Sequence, residues 1–422
     1  MTTPTSSNAD KGLPKLYKTA FTYPAIDNHA HNLLKPSKAL SNAFPLEGLA
    51  GEAEGLAQKD LVNTISLKRA AKQLVPLYDI PPDVLDQIRE EGGRGMWDAV
   101  KEWRGKAEYE SIVRRCFDFG NVGIQCLLLD DLLMGIEENC WSFEEHDPYM
   151  KSKTKRILRV EVVAQELIVA LSKESEISFE IFEKRFRQAI ENAHTDPQIV
   201  AFKSIICYRT GLSVSLSQPP SELATSFASS IKQAKEEGKV RIEEKVFNDW
   251  IVCVTCQIAG KYALPVQFHT GLGDSDISLP LSTPSHLQPL IRTYSSTPIV
   301  LLHSSYPFTK EAGYLTGIYK NCYLDFGEIF PMVSRGGQEG VVREMLEMCP
   351  GNKILWSTDG HWWPETFYLG SIQARQALFA VLSESVHGGD ITESEACEFV
   401  ENALFHNSNE LYKLGLEPLL SP

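Results

Sequence analysis

Eight short apolar runs, each ending in a polar or ionisable residue, constrain this chain more than any other feature. The first, Tyr23-Pro-Ala-Ile-Asp27, leads into Asn28-His29-Ala30-His31. Val122–Leu129 leads to Asp130-Asp131, Arg156–Val160 to Glu161, and Ile199–Phe202 to Lys203. Leu264–Phe268 ends in His269, Pro298–Leu302 in His303, Cys322–Leu324 at Asp325, and Lys353–Trp356 in Ser357-Thr358-Asp359. Such runs, with little alternation, fit strands buried on both faces of a parallel sheet. Helix-like stretches lie between them, among them Phe179–Asn192, Pro220–Glu237, Glu243–Lys261, Gln338–Met348 and Tyr368–Leu382. Eight strand–helix units in order predict an α/β fold, a (β/α)8 TIM-like barrel, whose chemistry sits at the carboxyl ends of the strands.

Roughly 90 residues separate the first strand from the second, far more than an ordinary connection. They carry helical patterns at Asp60–Leu74, after Pro81-Pro82-Asp83, and at Glu108–Phe117. The stretch from about residue 45 to about residue 118 therefore reads as a helical insertion over the barrel mouth, a lid or a homodimer surface. The whole chain, 1–422, reads as a single elaborated barrel.

The formal charge of −14, from 55 acidic and 41 basic residues, opposes binding to nucleic acid or to an anionic membrane. The densest basic stretch, Lys151–Arg156, reads as a solvated loop. No apolar run approaches the ~20 residues that span a bilayer, and Met1–Lys11 lacks the apolar core of a signal peptide. Nine scattered cysteines do not form a disulfide framework, which predicts a reduced, cytoplasmic protein. Cys253-Val-Thr-Cys256 reads as helix packing. The expected partner is a small molecule.

His29 and His31 are two residues apart at a strand end, so both rings point to one face. Neutral imidazoles are ligands for zinc and related divalent metals. His269, His303 and Asp359 end three later predicted strands, and together the five residues predict a metal site. For substrate recognition the candidates are Arg209 with Tyr208 beyond the fourth strand, and Arg159 with Glu161 at the third. An arginine at the mouth can clamp a carboxylate bidentately, or serve a structural ion pair instead. His361-Trp362-Trp363 lines the pocket or packs under the last helix. His146 and Trp141 are placed at the mouth, and Asp274 and Asp276 are read as loop-capping groups.

The order of His-x-His after the first strand, His after the fifth, His after the sixth and Asp after the eighth resembles the amidohydrolase superfamily. Gln267-Phe-His-Thr-Gly-Leu-Gly-Asp274, Leu301-Leu-His-Ser-Ser-Tyr-Pro307, Lys353–Asp359 and Ala201–Gly211 look like its amidohydrolase-2 group. Within that group they are similar to the amino-terminal domain of fungal FluG-type proteins and plant nodulin–glutamine synthetase fusions. The likeness runs from about Ile26 onwards, and this sequence carries no glutamine synthetase half. It implies that His29 and His31 hold the more buried metal, with Asp359 as a further ligand and general base. It implies His269 as a ligand, and His303 as a ligand of a second metal or a polariser of the substrate carbonyl. Zinc is the ion implied first, with manganese or iron as alternatives. Lys203 is either carboxylated, bridging two metals, or a plain lysine that pairs with a substrate carboxylate.

Three functions follow from this reading. The first is a metal-dependent amidohydrolase, cleaving the C–N bond of a small carboxylate-bearing molecule of γ-glutamyl amide type with a metal-activated water. The alternatives are a metal-dependent non-oxidative decarboxylase of a small aromatic acid and a non-catalytic signalling barrel. Lys203 discriminates the first two, because a bridged pair of ions favours hydrolysis.

Overall fold

The structure, a computed structural model, describes residues 12–420 except 40, 42, 92–94 and 132–135. The polar Met1–Lys11 stretch lies outside the described residues. Eight parallel strands run in chain order, β1 (Ala25–Ala30), β2 (Ile124–Leu129), β3 (Lys155–Arg159), β4 (Ile199–Ser204), β5 (Val266–Phe268), β6 (Ile299–Leu301), β7 (Cys322–Asp325) and β8 (Ile354–Leu355). Each pairs with the next. The ring is closed by backbone bonds from Asn28 N–H to Trp356 O (3.2 Å), Asp359 N–H to His29 O (3.0 Å) and His31 N–H to Gly360 O (2.7 Å). The bonds that close the barrel therefore join the two segments that carry His29, His31 and Asp359.

β1 and β2 are buried along their whole length, as two-sided burial in a parallel barrel requires. Helices pack outside. Pro220–Glu237 opens on a proline, whose fixed φ suits a first helical turn, and stops at Gly238 with φ 71°. Inside the barrel a second core joins Ile26, Leu128, Val300 and Leu355 to Phe405, Leu411 and Tyr412. The carboxyl-terminal helices thus plug the foot of the barrel, opposite the strand ends that carry the ionisable residues.

The chain between β1 and β2 forms helices at Ile65–Leu74, Pro82–Glu91, Gly95–Lys106 and Tyr109–Cys116, with 3-10 turns at Leu46–Ala50 and Ala57–Asn63. β3 begins at Lys155, one residue before the expected start at Arg156, and so takes in the end of the basic stretch read as a solvated loop. Cys253 and Cys256 are buried on the helix Lys245–Tyr262, and all nine cysteines are free thiols. No helix of the described residues is long and apolar enough to cross a membrane.

Candidate active site

The strand ends converge on Asp359. Its Oδ1 lies 3.3 Å from His29 Nε2 and 3.4 Å from His31 Nε2, and its Oδ2 lies 3.8 Å from His303 Nδ1. Lys203, on β4, brings Nζ to 3.0 Å from His29 Nε2. Glu328, beyond β7, sits 3.2 Å from His303 Nδ1 through Oε2. The His269 and His303 rings are 4.3 Å apart at their centroids.

The remaining bonds set the tautomers. His29 Nδ1 donates to Gln267 Oε1 (2.8 Å), and His31 Nδ1 donates to the Asp130 carbonyl (2.9 Å). With the proton on Nδ1, each ring leaves Nε2 as an acceptor beside the same carboxylate oxygen; that of His29 also accepts from Lys203 Nζ, and a cation relieves the crowding of acceptors at Asp359. Asp359 Oδ1, Glu328 Oε2 and both ring nitrogens of His303 are buried without a hydrogen-bond partner. Orphaned buried polar atoms cost about 1–3 kcal/mol each when nothing fills the gap. Three overlapping groups can hold an ion, namely His29/His31/Asp130, His29/His303/Asp359 and His269/His303/Glu328, with ligand atoms within 4.8 Å of one another. Imidazole nitrogens and carboxylate oxygens of this kind fit a divalent cation.

Burial keeps the ligands in the state an ion needs. It pushes His29 down to about 4 and holds His269 and His303 well below the ordinary imidazole range, so their lone pairs stay free. It also pushes Lys203 down to about 8, against the opposing pull of Asp130 and Asp359. Burial alone would raise Asp359; positive charge on the side of His303, His29 and His31 holds its carboxyl well below the usual range, and with the rings neutral that charge is the one a bound cation would supply. Glu328 goes the other way, pushed well up by burial and then by Asp359 and Glu52.

The backbone is strained where the site is built. His303 (φ 66°), Glu328 (φ 61°) and Asp359 (φ 50°) all adopt positive φ, which costs a non-glycine residue about 1–3 kcal/mol. Asp325 holds two of these turns, its Oδ1 accepting from His303 N–H (3.2 Å), Gly327 N–H (3.0 Å) and Ser357 Oγ (3.0 Å). Gly327 is required there, because a Cβ would come within 1.9 Å of Ser357 Oγ.

A buried relay supports His29 from below. Gln267 Nε2 donates to the Asn28 carbonyl (2.8 Å) and to the Tyr412 hydroxyl (2.8 Å), and that hydroxyl donates to Asn28 Oδ1 (2.9 Å). Asn28 in turn donates to Asp325 Oδ2 (2.8 Å). A register irregularity between Asp27 and Ala30 lets the consecutive residues Asn28 and His29 both reach Gln267. Gln267→Leu is expected to weaken metal affinity about 10–100-fold, since it frees the His29 ring to rotate and change tautomer. Competition with a chromogenic chelator measures this, and an unchanged affinity would show that the relay does not tune the ligand.

Above these residues opens a cavity of about 550 Å³. Of the sequence candidates, His31, Lys203, Tyr208, Arg209, His269, His303, Asp359 and His361 all reach it. Arg159 reaches it too, but its guanidinium is bound to Asp130 through Nε (3.0 Å) and Nη2 (2.5 Å), the structural ion pair that was the alternative. Glu161 does not reach it: its Oε1 accepts from Ser204 Oγ (2.6 Å) and Ile205 N–H (3.1 Å) behind β4. His146 is likewise buried away from the mouth, accepting from Leu33 N–H (3.1 Å), and Trp141 stacks on Tyr149. Asp274 caps its loop by accepting from Asp276 N–H (2.9 Å), yet both aspartates also line the cavity.

Sequence reasoning missed Glu328, Glu52, Glu54 and Arg241, which all face the cavity. Glu328 had a signal: it follows Asp325 by three residues and obeys the same strand-end rule. Glu52 and Glu54, in the long chain before β2, had none.

The family model described as Amidohydrolase matches residues 237–403. The chain is 43% identical over 420 residues to Protein fluG of Emericella nidulans, covering 94% of this chain and 46% of that protein. It thus spans about half the length of the curated relative it matches. In fold it is similar to a presumed metal-dependent hydrolase from Lactobacillus casei, at TM-score 0.78 and 22% identity over 94% of this chain and 97% of that one. A uronate isomerase from Thermotoga maritima is also similar, at TM-score 0.63 and 15% identity over 96% of this chain and 99% of that one. The eight-stranded barrel and the family match agree, and the chain belongs to the amidohydrolase superfamily, resembling Protein fluG over the part of that protein it matches.

Proposed function

We propose that the chain is a metal-dependent hydrolase of an amide bond in a small, carboxylate-bearing molecule, with zinc as the ion considered first. The observation that carries this reading is Asp359 Oδ1, buried without a hydrogen-bond donor, with His29 Nε2 3.3 Å and His31 Nε2 3.4 Å away. His29, His31 and Asp359 would hold the ion, with His269, His303 and Lys203 beside them. A divalent ion so held supplies acidified water, lowering its pKa from about 15.7 to about 7.

The chain's own groups do the rest. The ionised Asp359 carboxylate takes the proton of the attacking water and returns it to the leaving nitrogen. His303, with both ring nitrogens unpartnered, is available to polarise the scissile carbonyl. Arg209 lines the cavity and has no carboxylate within ion-pair distance among the described residues, and its Nε is buried without a partner. It is the group that receives a substrate carboxylate. Tyr208 packs on His269, centroids 4.4 Å apart, and walls the site on that side.

Elemental analysis tests the reading together with an assay on amides of amino acids, γ-glutamyl amides included. Chelation is expected to abolish hydrolysis and zinc or manganese to restore it. Two ions per chain, falling to one or none in Lys203→Ala, is the outcome of a lysine carbamate bridge. One ion, unchanged in Lys203→Ala, makes Lys203 a plain cation facing the substrate. A protein that takes up no metal on reconstitution overturns the proposal.

A further inference from the structure

Two ionisable groups of opposite kind line the cavity without an ion-pair partner among the described residues. Arg159 and Arg241 are each neutralised, the first by Asp130 and the second by Asp276 (2.7 Å) and Glu243 (3.0 Å). Arg209 is not, and the charges that act on it are those of Arg241, Glu161, Arg159 and Asp276. The second unpaired group is Glu52, from the chain between β1 and β2. Among the described residues no hydrogen bond or ion pair reaches its carboxylate, and the charges that act on it are all acidic, Asp359, Asp274 and Glu54. Glu328, 2% exposed and with an unpartnered Oε2, adds a second carboxyl to the Glu52 side of the cavity.

A carboxyl group buried among carboxyl groups is raised, and Glu52 is pushed up to about 8, by burial first and by its three acidic neighbours after. An ammonium group placed there relieves that repulsion. A carboxylate placed at Arg209 satisfies the orphaned guanidinium. A monocarboxylate substrate leaves the acidic side unmatched, and a diamine leaves Arg209 unmatched.

We infer that the cavity selects a zwitterion, an amide of an amino acid whose free carboxylate pairs with Arg209 and whose free ammonium pairs with Glu52. The inference rests on the hydrolase reading only for where the amide bond lies, at the imidazole cluster.

Calorimetric titration of the zinc-loaded full chain with L-glutamate, glutarate and n-butylamine tests it. L-glutamate has a carboxylate of the kind amide hydrolysis would release, together with both charges; each of the others lacks one charge. L-glutamate is expected to bind at least about tenfold more tightly than either, the scale of one charge-assisted pair. Glu52→Gln is expected to abolish the preference over glutarate, and Arg209→Met the preference over n-butylamine, with metal content retained in both. Equal affinity of the wild type for L-glutamate and glutarate overturns the inference, as does a preference that survives in Glu52→Gln. The wild-type ratio decides even if a variant fails to fold. A zwitterion preference in a protein that hydrolyses no amide overturns the proposed reaction and leaves the specificity standing. Equal hydrolysis of amides lacking the ammonium overturns the specificity and leaves the reaction standing.

Discussion

Asp359→Asn is expected to lower kcat for amide hydrolysis by about 10²–10⁴-fold, the scale of a lost general base, and to lose the ion as well. The reason lies in the two lone pairs that meet at Oδ1. His29 Nε2 and His31 Nε2 lie 3.3 and 3.4 Å from that oxygen, and both are acceptors because their Nδ1 atoms donate elsewhere. An asparagine can turn its NH2 group toward them and donate to both, so the side chain itself satisfies what the cation would otherwise satisfy. The metal-free variant is therefore expected to melt no lower than metal-free wild type, while binding zinc far more weakly. Elemental analysis, single-turnover rates and calorimetry of the two metal-free proteins check the three parts. A variant that keeps both its ion and its rate would remove Asp359 from the chemistry.

Glu365→Ala is expected to destabilise the fold by about 3–5 kcal/mol, the cost of leaving a buried ion without its partner. Glu365 is wholly buried in the first turn of the helix Pro364–Gly388, where a helix dipole favours a carboxylate. Arg104 Nε donates to its Oε1 at 2.5 Å, and the Tyr78 hydroxyl donates to the same oxygen. Arg104 also donates to the Ala39 carbonyl (3.1 Å). One carboxylate thus ties Tyr78 and Arg104, both in the chain between β1 and β2, to the helix that follows the Asp359 loop. The double variant Arg104→Met/Glu365→Leu is expected to recover most of the loss, since an apolar pair removes both desolvated charges together. Thermal unfolding of the single and double variants checks this, and a melting temperature of Glu365→Ala within a degree of wild type would dismiss the tie.

The strands were legible because apolar runs buried on both faces need no partner to be recognised. Pro220–Glu237 was legible to the residue, with a proline at one end and a glycine at the other. Gly95–Lys106 was not: its buried face includes Arg104, and a charged residue breaks the apolar stripe. The imidazoles and Asp359 were legible as strand ends, because the barrel brings all such ends to one rim. Gln267 and Tyr412 were not, for they act on the site only through hydrogen bonds between residues far apart in the chain. Arg159 shows the limit of the strand-end rule, which gives an address and not a partner. Only the fold reveals that Asp130 already occupies its guanidinium.

The plug at the barrel's foot bears on the order in which the molecule is made. During synthesis His29 and His31 leave the ribosome early, Asp359 late, and Phe405 and Tyr412 later still. The relay that fixes the His29 ring closes only when the Tyr412 hydroxyl has entered between Gln267 and Asn28. The His29 ring is thus fixed only after the chain has been made beyond Tyr412.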